Sequence, residues 1–550
     1  MKCNFSLKYS VDGRSAAPVL ITDTHSNDDF SINITDRLGR HTVTLTAKKK
    51  LTLGSYKEYS PDFFAKGKKK THKKSSYFMN GYQSWTDTRE FTYKEKEHDV
   101  TKLPRFVINA FSFDRYGDPL FYDYSKKKIH GYDVFYSKDP RPCFVASLNE
   151  KNAYLIAEIK RKTGELTLIS DVEGKVLDKG DTFILCDYIF SDSYASGVAA
   201  LRKHFSNKPA KKIFGYTSWY NYYQNINEEI ILRDLEALDK RFNLFQIDDG
   251  YETFVGDWLD VDPKKFPGGL APIVEAVHKK GYMAGIWLAP FVAEKKSRLF
   301  KEKPEWFKKD DEGNPVKCGS NWSGFYALDL ENAEVRDYIG NCLKTYSNMG
   351  FDFFKLDFLY ASNLPKYQGK TRSEAAHYAY SFLREVLGDK LILGCGDTLS
   401  NACGVFDYSR IGPDVSLKFD DVWYMRAMHR ERISTKVTLQ NTIYRGFLND
   451  VYFGNDPDVF LLRDKNLSLS KEQRKALITI NALFGSVMMT SDNISEYDEE
   501  KRKLLASSLD LFENAEVVSF EKNEKVITVV YKLRGKEHKI KYHTEKGVLV

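Results

Sequence analysis

Carboxylates, tryptophans and a few basic residues recur at the ends of short apolar runs in the second half of the chain. FDFFKLDF holds Lys355 and Asp357, SRIGPD holds Arg410 and Asp414, and LFQIDDG holds the adjacent pair Asp248 and Asp249. Alternation along a strand puts Lys355 and Asp357 on one face. A charged pair in an apolar strand is costly unless paired or used. It is therefore either a buried ion pair or an ionised nucleophile beside a group that holds a substrate hydroxyl. Asp414 follows Gly412 and Pro413, a fixed turn. It is either a turn residue or a second acid that Arg410, four residues earlier, orients. Two carboxylates facing across a cleft fit glycoside hydrolysis, about 5 Å apart for retention and about 6.5–9.5 Å for inversion. Neighbours on a strand point to opposite faces, so Asp248 and Asp249 cannot supply that opposition; a carboxylate there accepts hydrogen bonds from sugar hydroxyls. Trp219, Trp258 and Trp287 offer flat faces to the C–H side of a pyranose, though a Trp taken alone is more often core than platform.

These residues need elements that converge. From Ile213 onward, short apolar runs alternate with amphipathic segments: IFGYTSW, then NEEIILRDLEALDKRF; LFQIDDG, then APIVEAVHKKG; and onward to VMMTSDN. Repeated βα units with almost uninterrupted apolar strands indicate a parallel sheet covered on both faces. Eight such strands over about 285 residues predict a (β/α)₈ TIM barrel, whose chemistry gathers at the carboxyl ends of its strands. The predicted ends carry Trp219, Asp248 with Asp249, Trp287, Lys355 with Asp357, Cys395, Arg410 with Asp414, Asn455 with Asp456, and Ser491 with Asp492. One such Asp alone most often caps a helix; eight polar or aromatic ends together indicate a site for a polar ligand. A doubly wound sheet would place a Gly-rich phosphate turn after the first strand, but SWYNYYQN has no glycine.

Ahead of the barrel, residues 1–205 alternate (LGRHTVTLTAKKKLTL, AYLIAEIKRKTGELTLIS) with Asp and Gly turns between runs. That pattern predicts an N-terminal antiparallel β-sandwich. The barrel is placed at 206–497, and a small C-terminal antiparallel β domain at 498–550 (KVITVVYKL, HKIKYHT).

Composition narrows the functional classes. In 550 residues, 42% hydrophobic and 29% charged content is an ordinary globular balance. The net charge of +7 is small, and part of it is local, in Lys66, Lys68, Lys69, Lys70, Lys73 and Lys74. Such a run reads as a solvated tip rather than a nucleic-acid surface. Seven dispersed cysteines argue against a disulfide framework or structural zinc and for a reducing compartment. With no signal-peptide pattern and no membrane-length apolar stretch, a cytoplasmic location is expected. His278 lies in a helical segment and metal-ligand spacing is lacking, so no metal is expected. Nothing in the pattern sets an oligomeric state.

The ordered motifs FMNGYQSWT, GYTSWYNYY, FQIDDGY, GIWLAPF, FFKLDF, GCG, RIGPD and NDPDVFLLR resemble those of the α-galactosidases of glycoside hydrolase family thirty-six. The resemblance runs from about Tyr77 to Asn493. It implies a retaining exo-α-galactosidase that works without metal or organic cofactor on α-galactoside oligosaccharides. By that match Asp357 is the nucleophile and Asp414 the acid/base, and Asp248, Asp249 and Lys355 bind hydroxyls of the terminal galactose. Cys395 and Arg410 lie near the sugar's 2-position, Trp219 and Trp287 line the subsite, and Trp85 arrives from the sandwich to help close the pocket. Lys355 is expected to lower the pKa of Asp357, and desolvation or a negative neighbour to raise that of Asp414. The loop CGDTLSNACG and Ser409 bear on the substrate, which leaves melibiose-like disaccharides, raffinose-type oligosaccharides and an N-acetylated sugar open. A galactosyl transglycosylase and a non-catalytic carbohydrate-binding protein are the alternatives in function.

Overall fold

The structure is a computed structural model that describes residues 4–21, 24–60, 76–92, 95, 101–115, 118, 128–138, 142–160, 163–205, 209–364 and 369–550. The lysine-rich stretch of 66–74 lies outside them.

The alternating N-terminal runs form two antiparallel sheets of eight strands each. In Arg40–Ala47 every second residue is buried, so His41, Val43, Leu45 and Ala47 face inward. They meet Leu51, Leu53 and Tyr56 of the other sheet in one apolar core. The last strand pair of the second sheet, Ser76–Met79 and Arg89–Thr92, is a hairpin. Its loop carries the QSWT segment of the sequence motif out of the sandwich. The helix Tyr194–Phe205 then leads into a second architecture.

That architecture is a curled parallel sheet of nine strands. In chain order they are Ile213–Thr217, Leu244–Ile247, Met283–Leu288, Phe353–Leu356, Leu391–Gly394, Tyr408–Arg410, Gly454–Asp456, Val459–Phe460 and Val487–Thr490. The first six neighbour one another in sequence order, the seventh follows the sixth, and the ninth pairs with both the first and the eighth. Eight strands were expected. The run VYFGND begins its strand only at Gly454, and Pro457 with Asp458, the latter at φ +73°, separates that strand from Val459–Phe460. Proline has no N–H for a ladder, so a break there is physically reasonable.

Helices cover the sheet where the sequence placed them. Asn332 caps Ala333–Met349, which stops at Gly350 in the left-handed region, and capping boxes start Arg372–Leu387 (Thr371 with Glu374) and Lys471–Phe484 (Ser470 with Gln473). Two further helices differ from the expectation. Thr435–Tyr444 is buried on nearly every side and so lacks an amphipathic stripe. Glu499–Asn514 occupies the first part of the tail expected as β structure, and the four-stranded antiparallel sheet starts only at Ala515. Ile527, Val529, Tyr531 and Tyr542 of that sheet join the same apolar core as the parallel strands. Among the described residues no helix is long and apolar enough to cross a membrane.

Candidate active site

The fourth parallel strand delivers Asp357 one residue beyond its carboxyl end, 8% exposed. The carboxylate does not cap a helix. One oxygen accepts the N–H of Phe358 at 2.7 Å and the other accepts Trp287 Nε1–H at 3.0 Å. Phe358 sits at φ +53°, a conformation that costs a bulky residue of order 1 kcal/mol or more. The rings of Trp322, Phe325 and Trp85, 5.0 to 5.4 Å away, hold it there. Burial raises the pKa of Asp357; Lys355 and the two donors oppose that rise, and the charge of Asp414 adds to it. Lys355 lowers that pKa, as expected, but burial outweighs its pull and the carboxyl stays above its ordinary value.

Lys355 itself points elsewhere. Its ammonium is 2.9 Å from Asp248 Oδ2, with both side chains buried. The ion pair foreseen along the strand is instead made across the sheet. Burial opposes the lysine's charge, but Asp248 and, more weakly, Asp357 outweigh it and hold the pKa above the ordinary lysine range. Asp248 Oδ2 also accepts Gln246 Nε2–H at 2.7 Å and the Thr217 hydroxyl at 3.1 Å, and Oδ1 accepts the Asp249 N–H at 3.0 Å. Asp249 turns the other way, accepting Gln224 Nε2–H at 3.1 Å and Trp322 Nε1–H at 3.0 Å. Glu252 is buried beside it, and burial together with the charge of Asp249 pushes the glutamate well above the usual carboxyl range.

On the sixth strand, Arg410 is a three-way tie. It reaches Asp414 at 2.9 Å, Asp456 at 3.1 Å and Asp458 at 2.9 Å. Asp458 also accepts the Tyr220 hydroxyl and, at 2.7 Å, the Val415 N–H. Burial raises its pKa to about 6. The turn before Asp414 is fixed by the Thr438 hydroxyl on Pro413 O at 2.6 Å, and the Asp414 side chain stays 33% exposed. Asp414 is close enough for its charge to act on both Asp357 and Cys395. Cys395, at the end of the fifth strand, is buried, and burial with the charge of Asp357 raises its thiol.

The aromatic residues divide by role. Trp219 is half-buried and meets Tyr223 edge to face at 5.1 Å. Trp258 is buried behind Trp287, with ring centroids 5.8 Å apart, and belongs to the core. Trp85 comes from the sandwich and lies across Gly396, where a Cβ would stand 2.9 Å from its ring. The structure therefore gathers Trp287, Lys355, Asp357, Cys395 and Trp85 around one point, with Asp248 behind Lys355, Asp249 at the Trp322 corner and Asp414 acting from the Arg410 side.

Trp322, Gln224, Glu252, Asp458 and Arg445 were not foreseen. Gln224 closes the aromatic turn SWYNYYQN and Glu252 comes just after the DDG turn. Both were readable as polar groups beside a strand end. Trp322 comes from an antiparallel insertion (Val292–Glu294, Lys317–Gly319, Phe325–Ala327) and had no periodic signal. Among the described residues no three His, Cys, Asp or Glu side chains are grouped to hold a metal.

Comparison with known proteins bears on the same stretch of the chain. The melibiase family profile matches residues 192–424, a span that contains every expected site residue except Trp85. Residues 192–424 are thus similar to the melibiase family over 42% of the chain. An α-galactosidase, Mel36A, of Lactobacillus acidophilus is 30% identical over 206 residues, 34% of this chain and 26% of that protein. An A type blood α-D-galactosamine galactosaminidase of Flavonifractor plautii is 28% identical over 171 residues, 27% of this chain and 16% of that protein. The alignments thus span about a quarter or less of these curated relatives. Among solved structures, the α-galactosidase TtGalA of Thermus thermophilus, in complex with p-nitrophenyl α-D-galactopyranoside, superposes with a TM-score of 0.71 at 24% identity. That match covers 97% of this chain and 98% of that one. The α-galactosidase AgaA of Geobacillus stearothermophilus gives 0.61 at 12% identity, over 96% of this chain and 80% of that one. At those identities the likeness is one of fold, along nearly the whole chain.

Proposed function

We propose that the protein is a retaining exo-α-galactosidase that removes terminal α-linked galactose from oligosaccharides. The observation that carries this reading is the state of Asp357: buried, held by two neutral N–H donors, and within reach of the charge of Asp414. In the first step an Asp357 oxygen bonds to the sugar's C1 as the bond to the leaving oxygen breaks, and Asp414 gives that oxygen its proton. In the second, Asp414 takes a proton from water as the water oxygen attacks C1 and releases Asp357. Asp249 and Lys355 are placed to meet sugar hydroxyls, with Asp248 holding Lys355. Trp219 and Trp287 supply apolar walls, and Cys395 and Arg410 face the 2-position. The names of Mel36A and TtGalA support the galactoside as substrate.

The same proposal reads the parallel sheet as a (β/α)₈ barrel whose seventh strand is broken at Pro457, since the two halves pair with the sixth and the ninth observed strands. It places a sandwich domain at 1–205, the barrel at 206–497, and a helix with a small sheet at 498–550. Buried thiols at Cys186, Cys318, Cys342 and Cys395 support work in a reducing compartment, the cytoplasm. A second reading is an α-N-acetylgalactosaminidase; the one support for a nitrogen at the sugar's 2-position is a relative named for α-D-galactosamine, the unacetylated amino sugar.

One experiment tests both. An aryl α-galactoside and the matching α-N-acetylgalactosaminide are offered side by side, with proton NMR of the first product anomer. The expected result is turnover of the galactoside with α-galactose appearing first. A β-anomer formed first would overturn retention, and turnover of the N-acetylated sugar alone would replace the substrate.

A further inference from the structure

Arg445 is fully buried, yet among the described residues no carboxylate pairs with it. Its five N–H groups meet five neutral acceptors. Nε donates to Asn80 Oδ1 at 2.9 Å, Nη1 to the carbonyls of Ser84 at 2.6 Å and Ile411 at 2.9 Å, and Nη2 to those of Gly81 at 3.2 Å and Gln83 at 3.0 Å. Burial lowers its pKa to about 9. A buried guanidinium with no carboxylate in contact, only the more distant charges of Asp397, Glu431 and Asp87, is poor for stability alone, but its planar fork fits a fixed set of carbonyls as no lysine can.

Four of the five acceptors belong to the sandwich loop that carries Trp85. The fifth, Ile411, stands three residues before Asp414. One turn earlier on the same helix, Asn441 accepts the Thr88 N–H at 2.9 Å and donates to Thr86 O at 2.8 Å. Beyond the clasp, Ser84 N–H donates to Asp397 O and Gly396 N–H donates to Ser84 Oγ, both at 2.9 Å. Trp85 then rests on Gly396 and on Phe358, whose N–H holds Asp357.

We propose that Arg445 is a positioning residue for the glycosidase reaction: it locks the sandwich loop so that Trp85 forms a wall of the sugar site beside Asp357. This rests on the α-galactosidase function proposed above. It assigns a task to a residue outside both the melibiase-like stretch and the expected site.

The test uses the full chain in the variants Arg445→Lys, Asn80→Ala, Trp85→Ala and the two double variants with Trp85→Ala. Two measurements are made: kcat and KM on an aryl α-galactoside, and amide hydrogen exchange. Arg445→Lys is expected to lower kcat/KM about 100-fold, the scale of a ~1 Å misplacement in a site. Asn80→Ala, which removes one acceptor, is expected to give a smaller loss in the same direction. Because both act through Trp85, neither should lower activity further once Trp85 is alanine. Exchange should quicken at least tenfold at 81–86 and 396–397 and stay unchanged in the parallel strands. Losses that multiply with Trp85→Ala, or exchange equal to wild type in both single variants, would overturn the proposal. If Arg445→Lys does not fold, Asn80→Ala decides by the same criteria. A wild type inactive on every α-galactoside would sink the enzymatic reading, and exchange at 81–86 and 396–397 would then decide whether the clasp exists.

Discussion

The two carboxylates proposed to do the chemistry live in different surroundings. Asp357 ends a buried strand, and each of its oxygens is engaged by a neutral N–H group. Asp414 lies in a turn, one-third exposed, and its ion pair is with an arginine shared between two other acids. The difference teaches which property each position secures. Directional N–H donors stabilise an anion and fix its attack angle, as a nucleophile requires. A half-open side chain on a loop can exchange protons with water and reach a leaving group that departs outward.

The sharpest way to break the contrast is to remove Asp357. Asp357→Gly should lower kcat by at least about 10⁴-fold on any α-galactoside, the scale of losing a covalent catalyst. Azide added to that variant should yield a β-galactosyl azide. Full activity would show that the strand-end acid is not the nucleophile. Asp414→Ala should behave differently, and leaving-group dependence is the measure. Loss should be about 10²–10⁴-fold on an oligosaccharide and far smaller on a dinitrophenyl galactoside, whose leaving oxygen needs no proton. Equal losses on both would remove the distinction between the two acids.

Trp287→Phe sharpens the Asp357 side alone. A hydrogen bond to a charged group contributes about 1.5–3 kcal/mol, or roughly 10–150-fold in rate if it acts fully in the transition state. The Trp287 donor lowers the pKa of Asp357, so its loss raises that pKa further. The acid limb of the pH–rate profile should therefore move to higher pH, with no comparable displacement of the alkaline limb. The smallest effect on rate is expected at Asp397, the buried acid whose backbone carbonyl accepts the Ser84 N–H, and its signature is in stability. Burial holds Asp397 at about 7, against about 3.9 when unfolded. The folded state binds that proton more tightly, so the group's contribution to stability is present at low pH. It is lost as pH rises from the unfolded value through the folded one. Between pH 4 and 7 the melting temperature of wild type should fall relative to Asp397→Asn, and above pH 7 the two curves should run parallel.

The contrast also explains what the sequence could reveal. Asp357, Lys355 and the Asp248–Asp249 pair stand out because a charge within an apolar run is an anomaly in a linear pattern. The same pattern misassigned the partner of Lys355, because same-face alternation says nothing about which neighbouring strand supplies a counter-ion. The repeating strands and helices were legible from period and capping. The helix Thr435–Tyr444 was not, since burial all round erases periodicity, and Arg445 at its end was lost with it. In Glu499–Asn514, by contrast, Leu505, Ser508, Leu509 and Phe512 are buried at helical spacing, so that helix could have been recognised. Trp322 was hidden for another reason: it reaches Asp249 from an insertion whose fold depends on long-range pairing.

Among the described residues the three short strands that flank Trp322 pair only with one another, while Trp322 donates to Asp249, beside the buried Glu252. Under the proposed function, changes confined to that three-stranded insertion would alter the surroundings of Asp249 and leave the strands bearing Asp357 and Asp414 as they are.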